Sequence, residues 1–238
     1  MRFSFPLCRV FGTQVRLHAT LLLLFGWVLA DEALSNSWSV AWNSVLLLAL
    51  VFGSVLLHEF GHVGAARGFG ILTPDITLLP IGGMARLERI PEEPRQEILV
   101  ALAGPAVSAA LALCLWTADG FPSLNMERAL GEDGNLLTTL ATVNFGLLTF
   151  NLLPAFPMDG GRVLRACLAL RFPYLRATEW ASRIGKSIAV FLFAAGVVVP
   201  LPMLSILSVF LYLSAGRESD AATRRASQPG PPQTEGGD

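Results

Sequence analysis

Six low-charge apolar stretches, at about Leu17–Leu34, Val40–Gly64, Ile98–Trp116, Leu136–Met158, Ile184–Pro200 and Leu201–Ala215, leave this chain little choice of solvent. A straight helix needs about 20 apolar residues to cross the hydrocarbon of a bilayer, so the first stretch and the last two are short for the task. Hydrophobic residues make up 53% of the chain and charged ones 15%, against roughly 25% charged in an ordinary soluble domain. Water-soluble folds need more polar surface than this. The sequence therefore predicts an all-α polytopic membrane protein with about six transmembrane helices. Pro200 and Pro202 mark a tight hairpin between the fifth and sixth.

The basic residues give an orientation. With the N-terminus inside, every Lys and Arg except Arg128 falls on the inner side, as the positive-inside rule requires. The expectation is a multi-pass protein of the plasma or cell membrane with both termini cytoplasmic. Trp27, Trp38, Trp42 and Trp116 then lie near outer ends, where an aromatic belt belongs. A net charge of -1 gives no reason to expect a nucleic-acid partner. Cys8, Cys114 and Cys167 are scattered and odd in number, so they suggest neither a disulfide framework nor a thiolate metal site. The leading arginines and Leu21–Ala30 also fit a cleavable signal peptide, but the polar lead of about 20 residues is long for one, and cleavage would break the charge pattern. Residues 217–238 are expected to form a disordered cytoplasmic tail after a core of residues 1–216; from Ala226 onward they are rich in Gln, Pro and Gly.

Near the end of the second stretch comes His58-Glu59-Phe60-Gly61-His62, which holds two of the three histidines of the chain. At i and i+4 two imidazoles project from one helix face and can hold one zinc ion. Glu59 is placed to act as base toward a water at that metal. Such histidines can also be hydrogen-bonded interior residues. Two imidazoles and a carboxylate on one apolar helix are nonetheless costly without a function.

A second polar segment, Asn151 to Gly161, closes the fourth stretch. Pro154 and Pro157 lack the N–H that a helix needs, so the helix must break there. Broken backbone at membrane depth is tolerated only inside protein or along a watery cavity. Gly160 and Gly161 permit the turn that aims the Asp159 carboxylate inward. The second and fourth spans run in the same direction, so Asp159 can meet His58 and His62. Two imidazoles, a carboxylate and an open position suit catalytic zinc better than magnesium or calcium. On local sequence alone Asp159 also reads as a turn or helix-cap residue.

These two segments resemble those of the site-2 proteases, a family of intramembrane zinc metalloproteases. His58 to His62 matches the first motif, and Asn151 to Gly160 matches the second, Asn-x-x-Pro-x-x-Pro-x-Asp-Gly. The resemblance implies one Zn2+ per chain, held by His58, His62 and Asp159. It makes Glu59 the catalytic base and Asn151 a group that holds substrate or stabilises the oxyanion. The implied substrate is a single-span membrane protein cut within or near the lipid bilayer, at a site toward the cytoplasmic side. A regulatory membrane protein is a further partner left open. Some relatives carry an inserted peptide-binding domain and others a regulatory domain pair after the core; this sequence has room for neither, as a minimal form would.

Three features outside the motifs add to this picture. Ile76–Leu79 is β-prone and is followed by Pro80 and the pair Gly82-Gly83, which predicts a small extended or re-entrant segment after the second span. Gly82 and Gly83 are candidate substrate contacts, on a strand edge to which unwound substrate adds; an ordinary connector fits the segment equally. Asn144 is a candidate second polar contact or an interhelical hydrogen bond. Gly104-Pro105 lies among small residues suited to close helix packing. The competing function is a membrane zinc carrier or sensor without proteolytic activity, which would have no need of Glu59.

Overall fold

The polar lead of the chain is a β-hairpin. In the computed structural model, which describes residues 3–86, 88, 93–120 and 135–227, strands β1 (Ser4–Val10) and β2 (Thr13–His18) pair antiparallel. Their turn is Phe11-Gly12, both at positive φ (46° and 74°), the backbone that a two-residue hairpin favours. A bulge separates Pro6 from Cys8 in β1. Strands β3 (Asp75–Leu79) and β4 (Gly82–Arg86) complete a four-stranded sheet in the order β1-β2-β3-β4, with β2 and β3 parallel. The expected extended piece after the second apolar stretch is thus a strand pair. The all-α expectation, with β structure only at that point, is corrected by the hairpin. Its signal was the alternation Phe3-Ser4-Phe5-Pro6-Leu7, too short to stand out beside the long apolar runs.

Two units divide the chain, residues 1–152 and 153–238. Among the described residues the first holds the sheet and four helices. Helix α1 (Ala19–Ser35) starts directly from β2, with the His18 side chain accepting from the Thr20 amide as its cap. Ser37 caps α2 (Trp38–Gly68) in the same way. Pro94 opens α3 (Pro94–Ala118), where its missing N–H costs nothing, and Asn135 caps α4 (Leu136–Asn151).

Polarity in α2 runs the wrong way for water. Its buried positions include Ser54, His58 and His62, while Trp42, Leu46, Leu50 and Leu57 are exposed. An apolar exterior over a polar interior is what lipid demands. Helices α2, α3 and α6 (Tyr174–Val198) are long and apolar enough to cross a membrane among the described residues. Helices α1 and α4, with 17 and 16 residues, are shorter than the ~20 that a straight span takes.

In the second unit the segment after Leu152 leads into α5 (Asp159–Ala169), then α6 and α7 (Pro202–Ser227). Small residues let α6 and α7 approach closely: a Cβ on Gly196 would stand 2.7 Å from Ser205 Oγ, and Ser182 donates to the Ala215 carbonyl at 2.6 Å. Helix α7 runs on to Ser227, so residues 217–227 are helical where a disordered tail was expected. The reason is local: Arg217-Glu218-Ser219-Asp220-Ala221-Ala222 is rich in helix formers. Glu218 also pairs with the buried Arg165 at 2.7 Å. The remainder of that tail, and the loop residue Arg128, lie outside the described residues.

Candidate metal centre

The two motif histidines meet as their spacing requires. One turn apart on α2, His58 and His62 are both buried, and their Nε2 atoms face each other at 3.2 Å. Each ring is held from behind by α3. His62 Nδ1 lies 2.7 Å from the Val100 carbonyl, and His58 Nδ1 lies 2.9 Å from Ser108 Oγ. A carbonyl can only accept, so the His62 proton sits on Nδ1 and its Nε2 lone pair points at His58. Outer-nitrogen hydrogen bonds of this kind orient metal-ligating histidines.

Two glycines bring α3 this close. A Cβ on Gly61 would stand 2.6 Å from the Ala103 carbonyl oxygen, so the glycine inside the motif is what lets the helices touch. A Cβ on Gly104 would collide with His62 Nε2 and stand 2.7 Å from His58 Nε2. Gly104 therefore forms the wall of the nitrogen pair. Sequence reasoning placed it in a packing surface; the finer signal is that Gly104 and Ser108 are one turn apart in the small-residue run.

Glu59 lies against the sheet. A Cβ on Gly83 would stand 2.6 Å from Glu59 Cγ and 3.0 Å from its Oε1, so β4 lies directly along the carboxylate. Gly82 adopts φ 132°, a conformation that favours glycine. Asn144 is fully buried and donates to Ser54 Oγ at 3.0 Å and to the Leu140 carbonyl at 2.8 Å. The first of these bonds ties α4 to α2, the interhelical alternative that the sequence offers for Asn144. Asn151 ends α4, half-buried, with Nδ2 donating to the Leu147 carbonyl at 3.0 Å.

In the second unit Asp159 is the first residue of α5 and is buried. The turn before it is packed against α5 and α6, because a Cβ on Gly161 would stand 2.7 Å from Phe156 N and one on Gly185 3.1 Å from Ala155 Cα. Arg165 extends this clamp. Its guanidinium lies 5.1 Å from the ring centres of both Phe156 and Tyr174, and its side chain is 1% exposed. Glu218→Ala would remove the ion pair with Arg165. We expect a loss of about 2 kcal/mol, below the roughly 3–5 kcal/mol for breaking a fully buried pair because Glu218 itself is 35% exposed. Thermal unfolding of the purified variant measures it.

Two imidazole nitrogens facing each other, on a helix apolar enough to span a membrane, define a candidate metal centre of the membrane-embedded kind. The chain belongs to peptidase family M50, whose model matches residues 46–133 and 127–192. It is similar to the zinc metalloprotease MJ0392 of Methanocaldococcus jannaschii, at 38% identity over 221 residues, 92% of this chain and 61% of that one. Stage IV sporulation protein FB of Bacillus subtilis is 27% identical over 154 residues, 64% of this chain and 49% of that protein. The chain thus spans about half to three fifths of the length of these curated relatives. Among solved structures, the site-2 protease from Methanocaldococcus jannaschii matches with a TM-score of 0.65 and 37% identity, covering 91% of this chain and 95% of that one.

The residues of the first unit fit zinc. Bonds of about 2.0–2.1 Å at a tetrahedral angle put two ligand nitrogens about 3.3 Å apart, and the two Nε2 atoms are 3.2 Å apart.

Proposed function

We propose that this chain is a zinc-dependent endopeptidase that hydrolyses peptide bonds of membrane-spanning proteins within or near the bilayer. The observation that carries the reading is the His58/His62 nitrogen pair with Glu59 between them in sequence. Asp159 supplies the third ligand of one zinc ion. Its place in the second motif, its burial and its position at the head of α5 support that assignment.

Bound zinc supplies Lewis acidity and lowers the pKa of a water to about 7. Glu59 takes the proton of the attacking water and passes it to the leaving amine. Asn151 uses one Nδ2 hydrogen on Leu147 and offers the second to the oxygen of the tetrahedral intermediate. Asn151→Ala should lower kcat about 10²–10³-fold, as losing one such donor does, with zinc content unchanged.

A substrate helix must unwind before its carbonyl can react, and β4 offers the unwound segment a partner. The sheet has two edges. The β1 edge carries Pro6 and a bulge, which discourage pairing. The β4 edge has neither, and Gly83 sits against Glu59, so a strand added there lies beside the base. Gly83→Val should displace the carboxylate and reduce cleavage at least tenfold while zinc content stays normal. Unchanged cleavage would remove β4 from the reaction.

The membrane arrangement follows the charge pattern: about six spans, both termini cytoplasmic, and the site toward the cytoplasmic side. Helices α1 and α4 then cross with tilted or thinned surroundings. The decisive experiment incubates the purified protein with a panel of single-span membrane proteins, with and without chelator. Chelator-sensitive cleavage is expected; a panel left intact in both arms would overturn the reading.

A further inference from the structure

The N-terminal hairpin carries apolar side chains where a sheet edge in water would carry charge. Phe3 and Phe5 alternate and so share one face, Leu7 follows at the bulge, and the three are 67%, 56% and 60% exposed; Phe11, at the tip of the turn, is 80% exposed. Such an edge in water invites aggregation. Something apolar covers it.

Three observations say what. Strand β2 runs into α1 with no linker, so the hairpin is fixed at the level where that apolar helix begins. Leu7 lines one groove with Leu17, Leu21, Phe25 and Phe52, so the hairpin's apolar face is continuous with α1 and with α2, which is long enough to cross a membrane. Finally, the first 30 residues contain no Asp or Glu but hold Arg2, Arg9 and Arg16, and Arg9 is exposed. Aromatic and aliphatic groups beside arginines, free of acids, complement an anionic lipid surface. Pro6 and the bulge meanwhile weigh against strand pairing with a second copy.

We propose that the β1–β2 hairpin is an interfacial membrane anchor. It lies along an anionic leaflet, with Phe3, Phe5, Leu7 and Phe11 among the acyl chains and Arg9 at the lipid phosphates. The anchoring does not depend on the protease reading, but its consequence does. Strand β2 pairs with β3, β3 with β4, and β4 touches Glu59. The hairpin thereby fixes the depth of the carboxylate in the bilayer.

The test uses the full chain in vesicles, with native cysteines removed (Cys8→Ser, Cys114→Ser, Cys167→Ser) and spin labels at Phe5→Cys, Leu7→Cys and, as a water-exposed reference, Asn36→Cys. Labels at 5 and 7 should collide with dissolved oxygen severalfold more than with a water-soluble nickel chelate, and the label at 36 should show the reverse. Nickel collisions at 5 and 7 equal to those at 36 would overturn the proposal. So would shielding from both reagents, which would mean that protein covers the face. Arg9→Gln should make the label at 7 shallower in phosphatidylglycerol vesicles and leave it unmoved in phosphatidylcholine; equal depths in all four samples would refute the anionic requirement.

Discussion

Gly104→Ala is expected to empty the metal site without touching a proposed ligand. The added methyl would have to occupy the space of His62 Nε2 and come within 2.7 Å of His58 Nε2. Retreat of α3 would break the bonds that hold both histidines to the Val100 carbonyl and Ser108 Oγ. The rings must therefore turn, and Nε2 atoms that turn away no longer converge. A loss of zinc affinity of about 100-fold is expected, at the upper end for changes just outside a ligand shell. Competition with a fluorescent chelator measures it, and circular dichroism should show the helices intact. Wild-type affinity in this variant would mean that the nitrogen pair is not the metal's seat.

Glu59→Gln has the opposite profile. The amide keeps the shape that packs on Gly83 and leaves the imidazoles alone, so zinc content should be normal. Proteolysis should fall roughly 10²–10⁴-fold, the usual contribution of a positioned base. A zinc carrier would keep its transport in this variant, so the pair of readouts separates the two functions. Normal cleavage by Glu59→Gln would strike out the carboxylate as base.

The parts legible in the sequence are those with a periodic or chemical signature. The spacing of His58 and His62 fixes their common face, and β-prone Ile76–Leu79 before Pro80 and Gly82-Gly83 suggests an extended segment. What escaped depends on approach rather than pattern. Gly104 reads as one more small residue until α3 is packed on α2. Ser108 and the Val100 carbonyl orient the imidazoles from 50 and 38 positions away, a distance no local motif spans. The N-terminal strands hid because Phe3, Phe5 and Leu7 alternate over too few residues, and the exposed apolar edge they form is unusual for a sheet. Arg165 was counted among the charges that set orientation, yet it is among the most buried side chains of the protein. Its two aromatic neighbours and Glu218 come from three separate segments.

The reach of α7 past Ala215 has a practical side. Residue 216 is where hydropathy ends and where an engineer would trim the chain or append a tag. Cutting there would discard the counterion of Arg165, whose other grip is on Phe156, three residues before Asp159. With Asp159 as the proposed third ligand, a chain trimmed at residue 216 is expected to hold metal less tightly.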